Sequence, residues 1–159
     1  QCFVLTTPLQ LATATAMLVN RGRPITPHLL KKDNQQTAKR AVPALLKQVR
    51  KQHWDYIIRA MIHVVHGHRG TSRRIARKGY QIAGKTGTAQ VFGLKQEEDY
   101  EAENIALKLR DHALFIAFAP AKKAKIVVAV VVENGGSGGA VAAPIAGKII
   151  EHYMARNPS

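Results

Sequence analysis

Tyr80-Gln-Ile-Ala-Gly-Lys-Thr-Gly-Thr-Ala-Gln90 is the one stretch of this 159-residue chain where a cation, hydroxyls and glycines are packed between apolar flanks. Two chemistries can be read in it, and each needs a different fold. Gly79-Tyr-Gln-Ile-Ala-Gly84-Lys85-Thr86 fits the phosphate-loop pattern G-x-x-x-x-G-K-[ST]. Such a loop needs a strand before its first glycine and a helix opening at its lysine, so that backbone amides and the helix dipole converge on phosphate. Here Arg73-Arg-Ile-Ala-Arg-Lys78 comes first, too charged for a buried strand, and Lys85 is followed by Thr-Gly-Thr, a poor helix start. Tyr80, Ile82, Ala83 and Gly84 read instead as a strand running into Lys85. Ile126-Val-Val-Ala-Val-Val-Val-Glu133, an apolar strand ending in an acid, keeps nucleotide binding as the lesser alternative.

On a strand, Lys85-Thr86-Gly87-Thr88 makes sense as the wall of an acyl-transfer site. An edge strand binds an extended peptide or a lactam amide through backbone hydrogen bonds, and Gly87 has no side chain to block that approach. Lys85 brings positive charge to a substrate carboxylate, and the hydroxyls of Thr86 and Thr88 donate to it. The N–H of Thr88 is placed to donate to a developing oxyanion. An incidental surface lysine would explain Lys-Thr-Gly alone, but not the longer run from Ala83 to Gln90.

Composition bounds the rest. The length suits a single domain, and the apolar fraction of 46% is ordinary for a globular protein. The formal charge of +14 is not, and it points to an anionic partner or surface. The cations are spread through every segment without interleaved aromatics or a nucleic-acid motif, so nucleic acid is not expected as a partner. Cys2 is the only cysteine, which excludes an internal disulfide. No run reaches the ~18 apolar residues of a membrane span. The chain opens inside an apolar run without an initiating Met, as a piece of something longer would.

Along the chain, residues 1–7 are β-prone. Thr7-Pro8-Leu-Gln10 then carries a capping box with Pro at the first helical position, and predicts a helix to Asn20 stopped by Gly22. Small Ala12, Ala14 and Ala16 allow a close neighbour. Residues 31–40 are polar and read as a loop, and Pro43 opens a short helix over 44–49. A stronger helix spans 53–65, with Trp54, Ile57, Ile58, Met61, Ile62 and Val65 on one face. His63, His66 and His68 at its end invite a metal, but His63 falls opposite the apolar stripe and no Cys or carboxylate stands nearby; no metal and no cofactor are expected, only a solvated helix end.

Residues 70–74 form a basic turn. Residues 91–110 carry half of the chain's ten acids, Glu97, Glu98, Asp99, Glu101 and Glu103, and read as a mobile, partly helical insertion. Residues 113–119 and 126–132 are strands whose short polar connection predicts an antiparallel hairpin, and the continuous Val/Ile run of the second predicts burial on both faces. Residues 134–139 read as a flexible glycine loop. Pro144 begins a last helix with Ile145, Ile149, Ile150 and Tyr153 on its apolar face. There is no internal repeat. The expected fold is α/β of the α+β type, a mostly antiparallel sheet covered by helices on both faces.

These segments together resemble one family. Tyr80 to Gln90 is similar to the third catalytic motif of class B penicillin-binding proteins, and Asp111-His-Ala-Leu-Phe-Ile-Ala-Phe-Ala-Pro120 to the strand that follows it. Val131-Val-Glu-Asn-Gly-Gly136 and Ala142-Ala-Pro144 resemble the last strand, loop and helix. Thr7-Pro-Leu-Gln-Leu-Ala12, Asn20-Arg-Gly22 and Pro27-His28 resemble the helix before the third motif. The likeness covers nearly the whole chain in the right order and is nearest to the elongation-type subgroup, the penicillin-binding proteins 2.

It implies that residues 1–159 are the C-terminal part of a D,D-transpeptidase domain, truncated at the N-terminus, which cross-links peptidoglycan stem peptides and is acylated by β-lactams. By this resemblance Lys85 and Thr88 are catalytic, while Thr86, Gly87 and Thr88 bind substrate. The implied partners are stem peptide, β-lactams and cell-elongation membrane proteins. The implied location is the bacterial inner membrane, with this domain in the periplasm and the anchor outside this sequence. The family's nucleophile lies in Ser-x-x-Lys and its second motif is Ser-x-Asn. Neither is here, because Ser72, Ser137 and Ser159 are the only serines and none has the right neighbours. The family's Gly-Gln-Gly is replaced by Gln1-Cys2-Phe3. The competing expectation is a non-catalytic module that binds peptidoglycan or a partner chain.

Overall fold

The computed structural model describes residues 5–29, 43–91 and 109–157. Helix α1 spans Pro8–Val19, α2 Ala44–Lys47, α3 Lys51–His66 and α4 Ala143–Arg156. Strands β1 (Ala83–Ala89), β2 (His112–Ala119) and β3 (Ile126–Val132) form an antiparallel sheet in the order β1-β2-β3. In its register Lys85 lies opposite Ile116, and Leu114 lies between Gly87 and Val131. This is the α+β architecture expected from the sequence. Of the β-prone start at residues 1–7, the first four lie outside the described residues, as do the polar stretch of 31–40 and nearly all of the acidic insertion; residues 5–7 are not strand but lead into the cap of α1 at Thr7.

Strand alternation sorts side chains onto two faces. On one, Phe115, Ala117, Val128 and Ile82 pack under α4 through Ala143, Ala146 and Ile150. On the other, Phe118 and Ala83 pack against Met61 of α3, with Leu18 and Val19 of α1 beside them. Helices therefore cover both faces.

Helix α1 begins as its capping box requires. Thr7 Oγ1 accepts from Gln10 N–H at 3.2 Å, and the Gln10 side chain accepts from Thr7 N–H at 2.8 Å. At its end the expected glycine stop, Gly22, has φ 87° and donates to Met17 O at 2.8 Å, and Arg21 before it is left-handed too, with φ 53°. A side chain in that conformation costs about 1 kcal/mol, and Arg21 holds it while pairing with Asp55 at 2.6 Å. Of the small residues expected to admit a neighbour, Ala14 is exposed, and Thr15 is the buried residue of the helix.

Four other expectations change. Residues 80–82 are not strand: Ala121 N–H donates to Gln81 O and Ile82 N–H to His66, so neither backbone group is left for a ladder. Strand β3 is half-exposed rather than buried, with Val128 its only buried residue, because it lies at the edge of the described sheet. The apolar face of α4 is built from Ala143, Ala146, Gly147, Ile150 and Met154, whereas Ile145 and Ile149 are 41% and 44% exposed. Small residues win there because α4 crosses close to Ile75, whose Cβ would lie 3.0 Å from a Cβ at Gly147. In α3, likewise, Ile57 stays exposed while Met61 and Val65 are buried.

Two changes test this packing. Ser72 is fully buried and its hydroxyl has no hydrogen-bond partner among the described residues. Ser72→Ala removes an unsatisfied polar atom, so urea unfolding should show a gain of about 1 kcal/mol; a loss would mean that the hydroxyl is satisfied. Arg77 donates to Glu151 at 2.8 Å and ties the turn before β1 to α4, and that hydrogen bond holds the Glu151 carboxyl below its ordinary pKa. A lowered folded-state pKa stabilises above the unfolded value and is lost as pH falls through the folded one. Glu151→Gln should therefore be slightly less stable than the native chain at neutral pH, with the two stability curves converging in acid.

Candidate active site

Strand β1 is an edge of the described sheet, paired only with β2. Its side chains alternate: Ala83 is buried against Met61 and Phe118, and Lys85 is exposed on that same face, as pleat alternation requires. Thr86 and Thr88 turn to the opposite face, half-buried and exposed respectively. A molecule that touches both the ammonium and the hydroxyls must therefore lie along the free edge rather than on either face.

The Lys85 ammonium donates back to the carbonyl of Thr86 at 2.7 Å. A Cβ placed on Gly138 would clash with the carbonyl oxygens of both Gly87 and Leu114, so those two oxygens lie together between the strands. Both observations set the same parity. Gly87 pairs with Leu114, and alternation turns the N–H and C=O of Thr86 and Thr88 to the open edge. Gly84, which completes the phosphate-loop pattern, is there for another reason: a Cβ on it would sit 2.5 Å from the ring of Phe115. With Lys85 in mid-strand and a turn before it, the nucleotide reading fails on geometry.

The glycine loop that reads as flexible in sequence is packed. Gly136 and Gly138 are buried. Gly136 N–H donates to Asp111 O at 2.7 Å, Asn134 N–H to His112 Nδ1 at 2.9 Å, and the Asn134 side-chain amide to Arg110 O at 2.9 Å. This ties the loop to the start of β2. It then crosses β1 through a short π turn, Gly138–Ala142, with Ser137 Oγ accepting from Ala140 N–H at 3.4 Å.

At the other end of β1, His66 Nε2 accepts from Ile82 N–H at 3.1 Å. That fixes the neutral Nδ1–H tautomer and anchors the strand to α3, correcting the expectation of a solvated helix end. His63 is exposed. Among the described residues no group of three or more His, Cys, Asp or Glu side chains is placed to hold a metal. Next to this anchor, burial pushes the Tyr80 phenol above its ordinary pKa.

Sequence reasoning singled out Lys85, Thr86, Gly87 and Thr88, and the structure places them in succession on one edge strand of the described sheet. It missed His66 and the Gly138 contact, whose partners are 16 and 51 residues away. Gly138→Ala drives a methyl into the backbone of Gly87 and should cost about 1–3 kcal/mol in urea unfolding, with line broadening at Gly87 and Thr88 in amide spectra. An unperturbed Thr88 amide would show that the loop does not back the strand.

The family model for the penicillin binding protein transpeptidase domain matches residues 3–151. A peptidoglycan D,D-transpeptidase MrdA of Salmonella typhimurium is 38% identical over 162 residues, covering 97% of this chain and 26% of the relative. The Haemophilus influenzae protein of the same name is 41% identical, over 93% of this chain and 24% of its own length. The chain thus spans about a quarter of the length of these relatives. Among solved structures, Pseudomonas aeruginosa PBP2 in complex with WCK 5153 superposes with a TM-score of 0.75 at 40% identity, covering 97% of this chain and 31% of that one. Helicobacter pylori PBP2 in complex with MreC gives 0.74 at 25% identity, covering 99% and 26%. With its edge strand, backing loop and covering helices matched along nearly the whole length, the chain belongs to the penicillin-binding protein transpeptidase family.

Proposed function

We propose that residues 1–159 are the C-terminal part of the transpeptidase domain of a peptidoglycan D,D-transpeptidase, and that β1 is the Lys-Thr-Gly wall of its acyl-transfer site. The observation that carries this is the open backbone edge at Thr86 and Thr88 beside an exposed Lys85. A stem peptide or a β-lactam lies along that edge as an added strand. The Thr86 and Thr88 hydroxyls hold its carboxylate, and Lys85 supplies positive charge beside the attacking serine. As a serine oxygen adds to the scissile carbonyl, the N–H of Thr88 donates to the oxyanion that forms.

The serine is not in this sequence. Ser72 is buried and Ser137 occupies the loop turn. We assign Ser-x-x-Lys and Ser-x-Asn to a part of the protein outside these 159 residues. Among the described residues no helix is long and apolar enough to cross a membrane; the anchor likewise belongs outside, with this domain in the periplasm. The MreC complex of the Helicobacter protein supports cell-elongation membrane proteins as partners.

Sequencing the coding DNA upstream of Gln1 tests the assignment, and an in-frame extension with both serine motifs is expected. In that longer protein Lys85→Ala should slow penicillin acylation by about 10²-fold or more; an unchanged rate would remove Lys85 from the site. The 159-residue chain alone should show no mass increase with penicillin, and a stoichiometric adduct would place the nucleophile within it.

A further inference from the structure

A second concave feature lies at the end of the sheet away from Thr88. Helix α1 ends there, α3 passes beside it, and the β2–β3 turn closes it, leaving an open groove of about 1000 Å³. Five of its thirteen lining residues are Lys or Arg, against 24 of 159 in the whole chain. They come from three elements: Arg21 and Arg23 after α1, Arg59 on α3, and Lys122 and Lys123 in the turn. Among the described residues one carboxylate lines the groove, Asp55, and Arg21 already holds it at 2.6 Å. Arg23, Arg59, Lys122 and Lys123 have no carboxylate partner among the described residues.

One further observation sets this groove apart from a generally basic surface: its lining includes the aliphatic Ile58 and Ile62, and it continues through Val19 into a smaller hollow lined by Ile25 and Val127.

The chemistry selects the occupant. A hollow of about 1000 Å³ is far larger than a single phosphate. A membrane plane meets protruding residues, whereas these line a concave feature. Among the described residues no aromatic lines the groove to stack a nucleic-acid base. An extended or helical peptide fits, with carboxylates toward the rim and an aliphatic side chain over Ile58 and Ile62. We propose that this groove docks an acidic, leucine-bearing segment of a partner protein, at a site separate from the Lys85 edge.

The test uses a fluorescein-labelled peptide of alternating Glu-Glu-Leu units, titrated into the full chain and followed by anisotropy at low and at physiological salt. Arg59→Glu, Lys122→Glu and Lys123→Glu together should weaken binding at least about tenfold. Arg69→Glu, Lys78→Glu and Lys148→Glu, none of which lines the groove or the hollow beside it, together change the net charge equally and should leave binding within about twofold. Equal weakening by the two sets would reduce the effect to overall charge and overturn the proposal. So would equal binding of an all-glutamate peptide, or binding only to phosphatidylglycerol vesicles or to a short RNA. Circular dichroism on both variant sets shows that they fold, so that weakened binding reports the groove.

Discussion

Everything at the candidate site depends on the backbone of Gly87 lying in contact with Gly138. The groups that matter along β1 are largely main-chain N–H and C=O, and main-chain groups can be aimed only by holding the whole strand. An edge strand has one ladder to hold it, here the pairing with β2. The loop after β3 supplies the second restraint, crossing so close that no side chain is tolerated at position 138. That loop is in turn bonded to the first residues of β2. The strand, its neighbour and the loop thus form a closed set of contacts, and displacement of one displaces all three. Such tight support is what a site needs when a displacement of about 1 Å weakens catalysis by orders of magnitude.

The two packing faces divide the remaining work. The α4 side uses alanines and glycine, so that the helix comes down near the sheet and carries the π turn in with it. The α3 side uses Met61 and the imidazole of His66, which catch the strand at Ala83 and Ile82 before it runs out to the exposed residues. Strand β1 is therefore buried at one end and open at the other, and the transition falls between Gly84 and Lys85. Alternation places the lysine and the threonines on opposite sides of that open half. The edge between them is the one line from which both are reached.

How much of this can be read without the fold depends on the range of the interaction. The capping box of α1 is legible because both hydrogen bonds join Thr7 to a residue three positions on. The stripe of α3 is legible because helical period and burial coincide, apart from Ile57. Lys85 to Thr88 stand out because their composition is odd for any ordinary strand. Partners far apart in sequence leave no such trace. Nothing near His66 announces Ile82, and nothing near Gly138 announces Gly87. The α4 face misleads for a related reason, since the bulky Ile145 and Ile149 attract attention while the small residues make the contact. The Val/Ile run of β3 likewise signals strand correctly, but its burial depends on what lies beyond it.

The placement of backbone strain follows the same logic. Throughout β1 the site rests on regular strand geometry, and its accuracy comes from contacts rather than from distorted torsions. Among the described residues, the side-chain-bearing ones with positive φ are Arg21, Lys123 and Asn134. Asn134 tolerates that conformation well and turns the chain into the backing loop. Arg21 and Lys123 do not share that tolerance, and they face one groove at the opposite end of the sheet. Each sits where the chain reverses: Arg21 at the end of α1, where Gly22 N–H reaches Met17 O, and Lys123 in the β2–β3 turn, where Lys125 N–H reaches Ala119 O. The strain is thus confined to turns and stays out of the edge strand.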